Sequence, residues 1–163
     1  MTTWWQQVET TVWQEFADLP DAAGVTRITI RLLIAAILGG MLGFEREQKG
    51  KAAGLRTHML VALGAAVFVL IPQQAGVSDA DLTRVMQGLV AGVGFLGAGA
   101  IIKGNGAEEI KGLTTAAGIW LTAAIGMAAG LGRQATAVLS TLIALIILYT
   151  IPKIAGRFAN HDG

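Results

Sequence analysis

The sequence predicts an all-α, polytopic transmembrane helical bundle of about five helices, and three observations carry that expectation. Hydrophobic residues make up 53% of the chain, and its mean hydropathy is +0.60. Charged residues reach only 14%, against roughly 25% in an ordinary soluble domain. The apolar residues also gather in five runs separated by polar, glycine-rich segments, each near the lower limit of length that spans a hydrocarbon core of about 30 Å. The 163 residues fit one domain.

Residues 1–26 read as an N-terminal interfacial segment. Trp4, Val8, Val12 and Phe16 recur every four residues, with Trp5 and Trp13 nearby, as in an amphipathic helix lying at the external membrane interface. The basic and apolar regions of a cleaved signal peptide are missing from this stretch. The transmembrane domain is expected over 27–151, with spans at 27–44, 57–71, 84–102, 113–129 and 134–151, followed by a short cytoplasmic tail at 152–163. The connections EREQKGKAAGLR, PQQAGVSDADLT, KGNGAEEIKG and GLGR carry the glycine or charge that loops require. The brevity of GLGR makes the last two spans an antiparallel hairpin.

Lysine and arginine set the orientation. With the N-terminus outside, Arg46, Lys49, Lys51, Arg56, Lys103, Lys111, Lys153 and Arg157 are cytoplasmic, while Arg27, Arg31, Arg84 and Arg133 face outward, eight against four. The first 26 residues hold four carboxylates and no lysine or arginine, which agrees with translocation of that end. The expectation is N-out, C-in.

Composition also excludes function classes. A net charge of +1 gives no basic field for nucleic acid. With no cysteine, disulfides, thiolate metal sites and thiol nucleophiles are ruled out. Gly92, Gly94 and Gly97 match the dinucleotide fingerprint G-x-G-x-x-G, but in the middle of a span rather than after a strand, and residues 112–120 contain no carboxylate. No nucleophile–base pair can be placed at matching depth. An enzyme is therefore not expected, nor is a cofactor.

Glycine, at 22 of 163 residues, is expected instead to pack helices. Gly88 and Gly92 form G-x-x-x-G, and Gly94, Gly97 and Gly99 widen that small-residue surface. Ala35, Gly39 and Gly43 repeat the device in the first span, as do Gly118, Thr122, Gly126 and Gly130 in the fourth. Because lipid gives helices no hydrophobic drive to associate, such faces act by close backbone approach and van der Waals contact.

Polar residues concentrate at the cytoplasmic ends. Glu45, Arg46 and Glu47 close the first span, and Arg56, Thr57 and His58 open the second. Lys103, Asn105, Glu108, Glu109 and Lys111 follow the third, with Thr114 just inside the fourth. Such a corner can dock a protein partner, an anionic headgroup or a hydrated cation; it can equally be a set of solvated ion pairs that fixes topology. Asp, Glu and His are absent from the interiors of the spans, which counts against a self-contained magnesium path, with backbone carbonyls or an oligomeric pore left as the other sources of ligands.

At RLLIAAILGGMLGFERE, KAAGLRTHMLVALGAA, VAGVGFLGAGAII and KGLTTAAGIWLTAAIGMAAGLG the sequence resembles the MgtC/SapB family of bacterial inner-membrane proteins. The resemblance implies a five-helix membrane domain with an external N-terminus, and a role in low-magnesium adaptation and virulence. It further implies regulation of the F-type ATP synthase through its membrane sector, with magnesium or small-solute transport as the alternative. It places Glu45, Arg46, Arg56, Thr57, His58, Thr114, Thr115 and Trp120 within the matching blocks as candidates for binding a partner, lipid or cation. The soluble C-terminal domain of longer members is expected to be missing from a chain that ends at Gly163. Membrane lipids are the expected surroundings, and a homo-oligomer is left open.

Overall fold

The computed structural model describes residues 3–15, 17, 21–103 and 110–159. Six helices follow one another: α1 (Trp4–Glu15), α2 (Ala22–Gln48), α3 (Leu55–Gln74), α4 (Asp79–Gly99), α5 (Leu113–Gly130) and α6 (Gln134–Ala159). Five of them, α2 to α6, are long and apolar enough to cross a membrane.

The chain divides into two compact units, Met1–Ile30 and Arg31–Gly163. In the first unit α1 is helical, and its Trp4, Val8, Val12 and Trp13 are all exposed. The Trp4 and Trp5 rings meet edge to face with centroids 4.6 Å apart. Phe16 lies outside the described residues. Asp21 opens α2 by accepting the Gly24 amide at 2.6 Å, which satisfies one of the donors that a helix start leaves unpaired.

In the second unit α3 and α5 form the central wall. One core cluster packs Ala62 and Ala66 of α3 and Ile125 and Ala129 of α5 against Ala35, Leu38 and Leu42 of α2 and Ala137 and Ala144 of α6. On the other side of the wall, Ala65, Ile119 and Ala123 meet Val93 of α4. The prevalence of alanine at these contacts brings backbones together, as expected where packing rather than exclusion from water holds helices. α4 is the most peripheral span, with 11% of its apolar window buried against 44% for α5.

The expected spans are found, with one correction to their ends. α4 stops at Gly99, and β1 (Ile102–Lys103) pairs antiparallel with β2 (Ile110–Lys111) instead of extending the helix to 102. Gly112, just after β2, has a left-handed backbone at φ 97° and passes so close to the Ala100 carbonyl that a Cβ would collide with it. At the other end, the fifth membrane-length stretch runs Gln134–Pro152, and α6 continues as helix through Ala159 with Pro152 accommodated inside it.

The glycine faces divide into two groups. A Cβ at Gly39 would lie 2.6 Å from the His58 carbonyl oxygen, and one at Gly43 would lie 2.7 Å from the Leu55 Cα. On α5, Gly126 abuts the Ala62 carbonyl, and a Cβ at Gly130 would lie 2.5 Å from the Ala66 carbonyl. These positions seat α2 and α5 directly on the α3 backbone. By contrast, a Cβ at Gly88, Gly92 or Gly99 would meet nothing within 4 Å, and at Gly97 only ordinary contact with Ala116 at 3.6 Å. The close approach expected at Gly88, Gly92 and Gly99 is therefore not made among the described residues.

Candidate functional site

The end of the bundle where α2 finishes and α3 and α5 begin holds the principal polar site. α2 ends in a Schellman turn: the Lys51 amide donates to the Arg46 carbonyl at 3.0 Å and the Gly50 amide to that of Glu47 at 2.9 Å. Gly50, at φ 63°, takes the left-handed position this motif requires. The reversal brings α3 back against α2, so Arg46 and His58 come to lie beside one cavity.

Arg46 is 3% exposed and its Nε donates to Glu45 Oε2. Lys49 Nζ lies 2.9 Å from the other carboxylate oxygen of Glu45. Two cations thus share one anion, and the triad keeps a net positive charge. Lys49 also donates to the Leu148 carbonyl at 3.0 Å, tying α2 to α6.

His58 is fully buried. Its Nδ1 sits 3.0 Å from the Gly54 carbonyl oxygen. A carbonyl can only accept, so Nδ1 carries a proton and, in the neutral ring, Nε2 presents a lone pair. Among the described residues Nε2 has no hydrogen-bond partner, an arrangement that costs free energy when a polar atom is buried. It faces α5 at Gly118, where a Cβ would come within 3.5 Å of it. The cavity of about 180 Å³ at this point is walled by Leu42, Leu121, Ala144, Ile147 and Leu148, with Arg46, His58 and Thr114 supplying its polar groups and Ala117 and Gly118 its α5 edge.

Five of the expected residues therefore converge: Glu45, Arg46, His58, Thr114 and Gly118. Glu47 does something else. Its Oε2 accepts the Leu55 amide at 2.7 Å and caps α3, whose N-cap residue Gly54 has no side chain to do so. A Cβ at Gly54 would meet that same oxygen at 2.6 Å. Arg56 and Thr57 are exposed, and Thr57 borders a separate cavity with Phe95 and Gly99. Thr115 is buried beside Lys111 and Gly112, also away from Arg46. Trp120 is 48% exposed and does not line the Arg46 cavity. The Lys103 side chain and residues Asn105, Glu108 and Glu109 lie outside the described residues. Among the described residues, no three His, Cys, Asp or Glu side chains gather as a metal site.

Lys49 is a site residue that the sequence reading counted only as charge. The signal for it was available. Pro152 has no amide hydrogen, so the carbonyl four residues earlier, that of Leu148, must find a donor elsewhere. At the opposite end of the bundle, Arg31 Nη1 donates to Gln73 Oε1 at 2.6 Å and to the Gly130 carbonyl at 2.9 Å. This joins α2 to the last turns of α3 and α5.

A second cavity, about 380 Å³, lies between α3 and α4 and is lined by Phe68, Val85, Gly88, Leu89, Gly92, Val93 and Leu96. Gly88 and Gly92 sit on this groove, whereas Gly99 borders the cavity at Thr57.

A family profile described as the MgtC family matches residues 32–157. The proposed magnesium transporter YhiD of Escherichia coli strain K12 is 41% identical over 141 residues, covering 82% of this chain and 64% of YhiD. Protein SrpB of Synechococcus elongatus is 42% identical over 132 residues, covering 74% of this chain and 72% of SrpB. Protein MgtC of Brucella abortus is 42% identical over 113 residues, covering 69% of this chain but 46% of that protein. The chain thus spans just under two thirds of YhiD and less than half of the Brucella protein. No solved structure matches it.

Proposed function

The chain belongs to the MgtC family, and from that premise we propose that this multi-pass membrane protein is a magnesium-related, non-enzymatic regulator of the bacterial inner membrane that acts by docking on another membrane protein. The observation that carries the reading is the groove between α3 and α4. Gly88 and Gly92 are left open there, without the contacts that engage Gly39, Gly43, Gly126 and Gly130. A G-x-x-x-G face flanked by apolar side chains admits a second transmembrane helix at close backbone distance. The membrane sector of the F-type ATP synthase is the proposed partner, by the family resemblance. The Arg46 end is read as cytoplasmic, from the distribution of lysine and arginine, and α1 as lying on the external interface.

Co-reconstitution with ATP synthase in proteoliposomes tests this reading. Proton pumping and ATP hydrolysis are expected to fall when the protein is added and to recover with Gly92→Leu. Unchanged pumping and hydrolysis would remove the ATP synthase from the proposal. The name of the Escherichia coli relative favours a second reading, a magnesium or small-solute transporter. Magnesium influx into liposomes containing this protein alone, above that of empty liposomes, would replace the regulator with that transporter. The cationic Arg46 cavity supports the regulator, because a buried guanidinium repels a divalent cation at close range.

A further inference from the structure

We propose that the cavity beside Arg46 is a binding site for an anionic amphiphile. Its acidic headgroup is held by Arg46, a headgroup hydroxyl donates to His58 Nε2, and its acyl chain lies along α5 and α6. Three independent features point to this ligand chemistry. Arg46 and His58 both line the cavity and are buried, Arg46 3% exposed and His58 fully, and Nε2 lacks a partner among the described residues. Since Nδ1 is committed to the Gly54 carbonyl, Nε2 is suited to accept, and a hydroxyl is the simplest donor that an acidic headgroup can bring.

The charge balance selects an anion. Arg46, the charged residue that lines the cavity, shares Glu45 with Lys49 as their carboxylate, so the three groups beside the cavity together carry one net positive charge. Ion pairing of this kind at a buried guanidinium is shorter and stronger than a neutral hydrogen bond. The walls select an apolar body. Leu42, Leu121, Ala144 and Ile147 line most of the cavity, and such walls do not replace the hydration shell of a free phosphate ion.

The opening of the cavity favours entry from lipid. Thr114 and Ala117 on α5 and Ile147 on α6 line it and are exposed on the outside of the bundle. In a membrane that seam between α5 and α6 faces acyl chains. Thr114 lies in the first turn of α5, at the level where a headgroup belongs, while Leu121 lies two turns deeper. The site is separate from the α3–α4 groove, and its test requires no partner protein, so the docking proposal can fail without affecting it.

The experiment is native mass spectrometry of the full chain after incubation with equal amounts of phosphatidylglycerol and phosphatidylcholine. Phosphatidylglycerol is expected to be retained about tenfold more, the effect of one charge-assisted hydrogen bond. Arg46→Gln should abolish that preference. Ala117→Phe alters an exposed cavity edge and leaves Arg46, Glu45 and Lys49 untouched, so it should fold as the parent does while losing the retained lipid. Equal retention of both lipids by the parent would overturn the proposal, and so would undiminished phosphatidylglycerol retention in Ala117→Phe. Thermal stabilisation by inorganic phosphate alone, unaltered in Ala117→Phe, would also overturn it by marking a free-anion site.

Discussion

Lys49 donates its ammonium to the backbone carbonyl of Leu148, the one acceptor in α6 that Pro152 deprives of its helical partner. The proline would otherwise be expected to break or kink the helix. Here a side chain from the far end of α2 supplies the missing donor, and α6 runs on to Ala159. The relationship is reciprocal, since the same carbonyl holds Lys49 in place beside Glu45.

That reciprocity predicts a coupled pair of substitutions. Lys49→Met should lower stability in detergent by about 1–2 kcal/mol, the effect of losing a hydrogen bond to a charged donor. Pro152→Ala in the Lys49→Met background should recover most of that loss, because residue 152 then offers Leu148 an amide hydrogen. Thermal unfolding of the two single variants and the double variant reads the coupling. Strict additivity would show that the carbonyl does not depend on Lys49.

The glycines that seat α2 and α5 on α3 should differ sharply from those on α4. Gly39→Val or Gly126→Val introduces a Cβ where the α3 backbone already stands, and should destabilise by at least the roughly 1–3 kcal/mol typical of overpacking. Gly92→Leu should leave the melting temperature of the isolated protein unchanged, since its face is open. Equal loss of stability from Gly92→Leu would show that α4 packs more tightly than described.

Glu47 should behave as a helix cap and not as a ligand. Glu47→Ala is expected to cost about 1 kcal/mol, in the range of other lost caps, while Glu47→Gln, which keeps an acceptor oxygen, costs less. Faster hydrogen exchange confined to the first turn of α3, beginning at the Leu55 amide, would register the effect. Unchanged exchange there would exclude the capping role.

Arg31 should hold the opposite end of the bundle together. Replacing it with methionine removes donors from Gln73 and from the Gly130 carbonyl. The stability loss should be about 1 kcal/mol, accompanied by easier proteolysis at the turn around Gly132. A turn that stays resistant would mean that the α5–α6 hairpin closes without Arg31.

Much of this architecture was legible in the amino-acid order, because apolar runs long enough to cross a bilayer leave few other outcomes. The four-residue repeats at Ala35, Gly39 and Gly43 and at Thr122, Gly126 and Gly130 mark one face of each helix, and Gly39, Gly43, Gly126 and Gly130 lie against the α3 backbone. What they could not reveal was the object opposite each one. Periodicity is a property of a single helix, whereas contact belongs to a pair. Gly88 and Gly92 show the same spacing as Gly39 and Gly43, yet they meet open space.

The polar corner illustrates a different limit. Reading charge by membrane side collects every residue at one end of the bundle, but it does not say on which side of α3 each falls. Arg46 and His58 share a cavity, whereas Thr57 and Thr115 border others. Glu47 is drawn away by the unpaired amides of the next helix. The role of Lys49 depends on a backbone carbonyl nearly one hundred positions later in the chain.

The α3 backbone has a mechanical consequence. Its carbonyls at His58, Ala62 and Ala66 face glycines of α2 and α5 at near contact. Helices meshed backbone to backbone cannot slide or rotate past one another without steric collision, so α2, α3 and α5 form the stationary frame of the molecule. Any change of shape must then come from the helices outside that frame. α4, whose glycines make none of these backbone-to-backbone seats, and α6, tethered through Lys49, are the helices outside it.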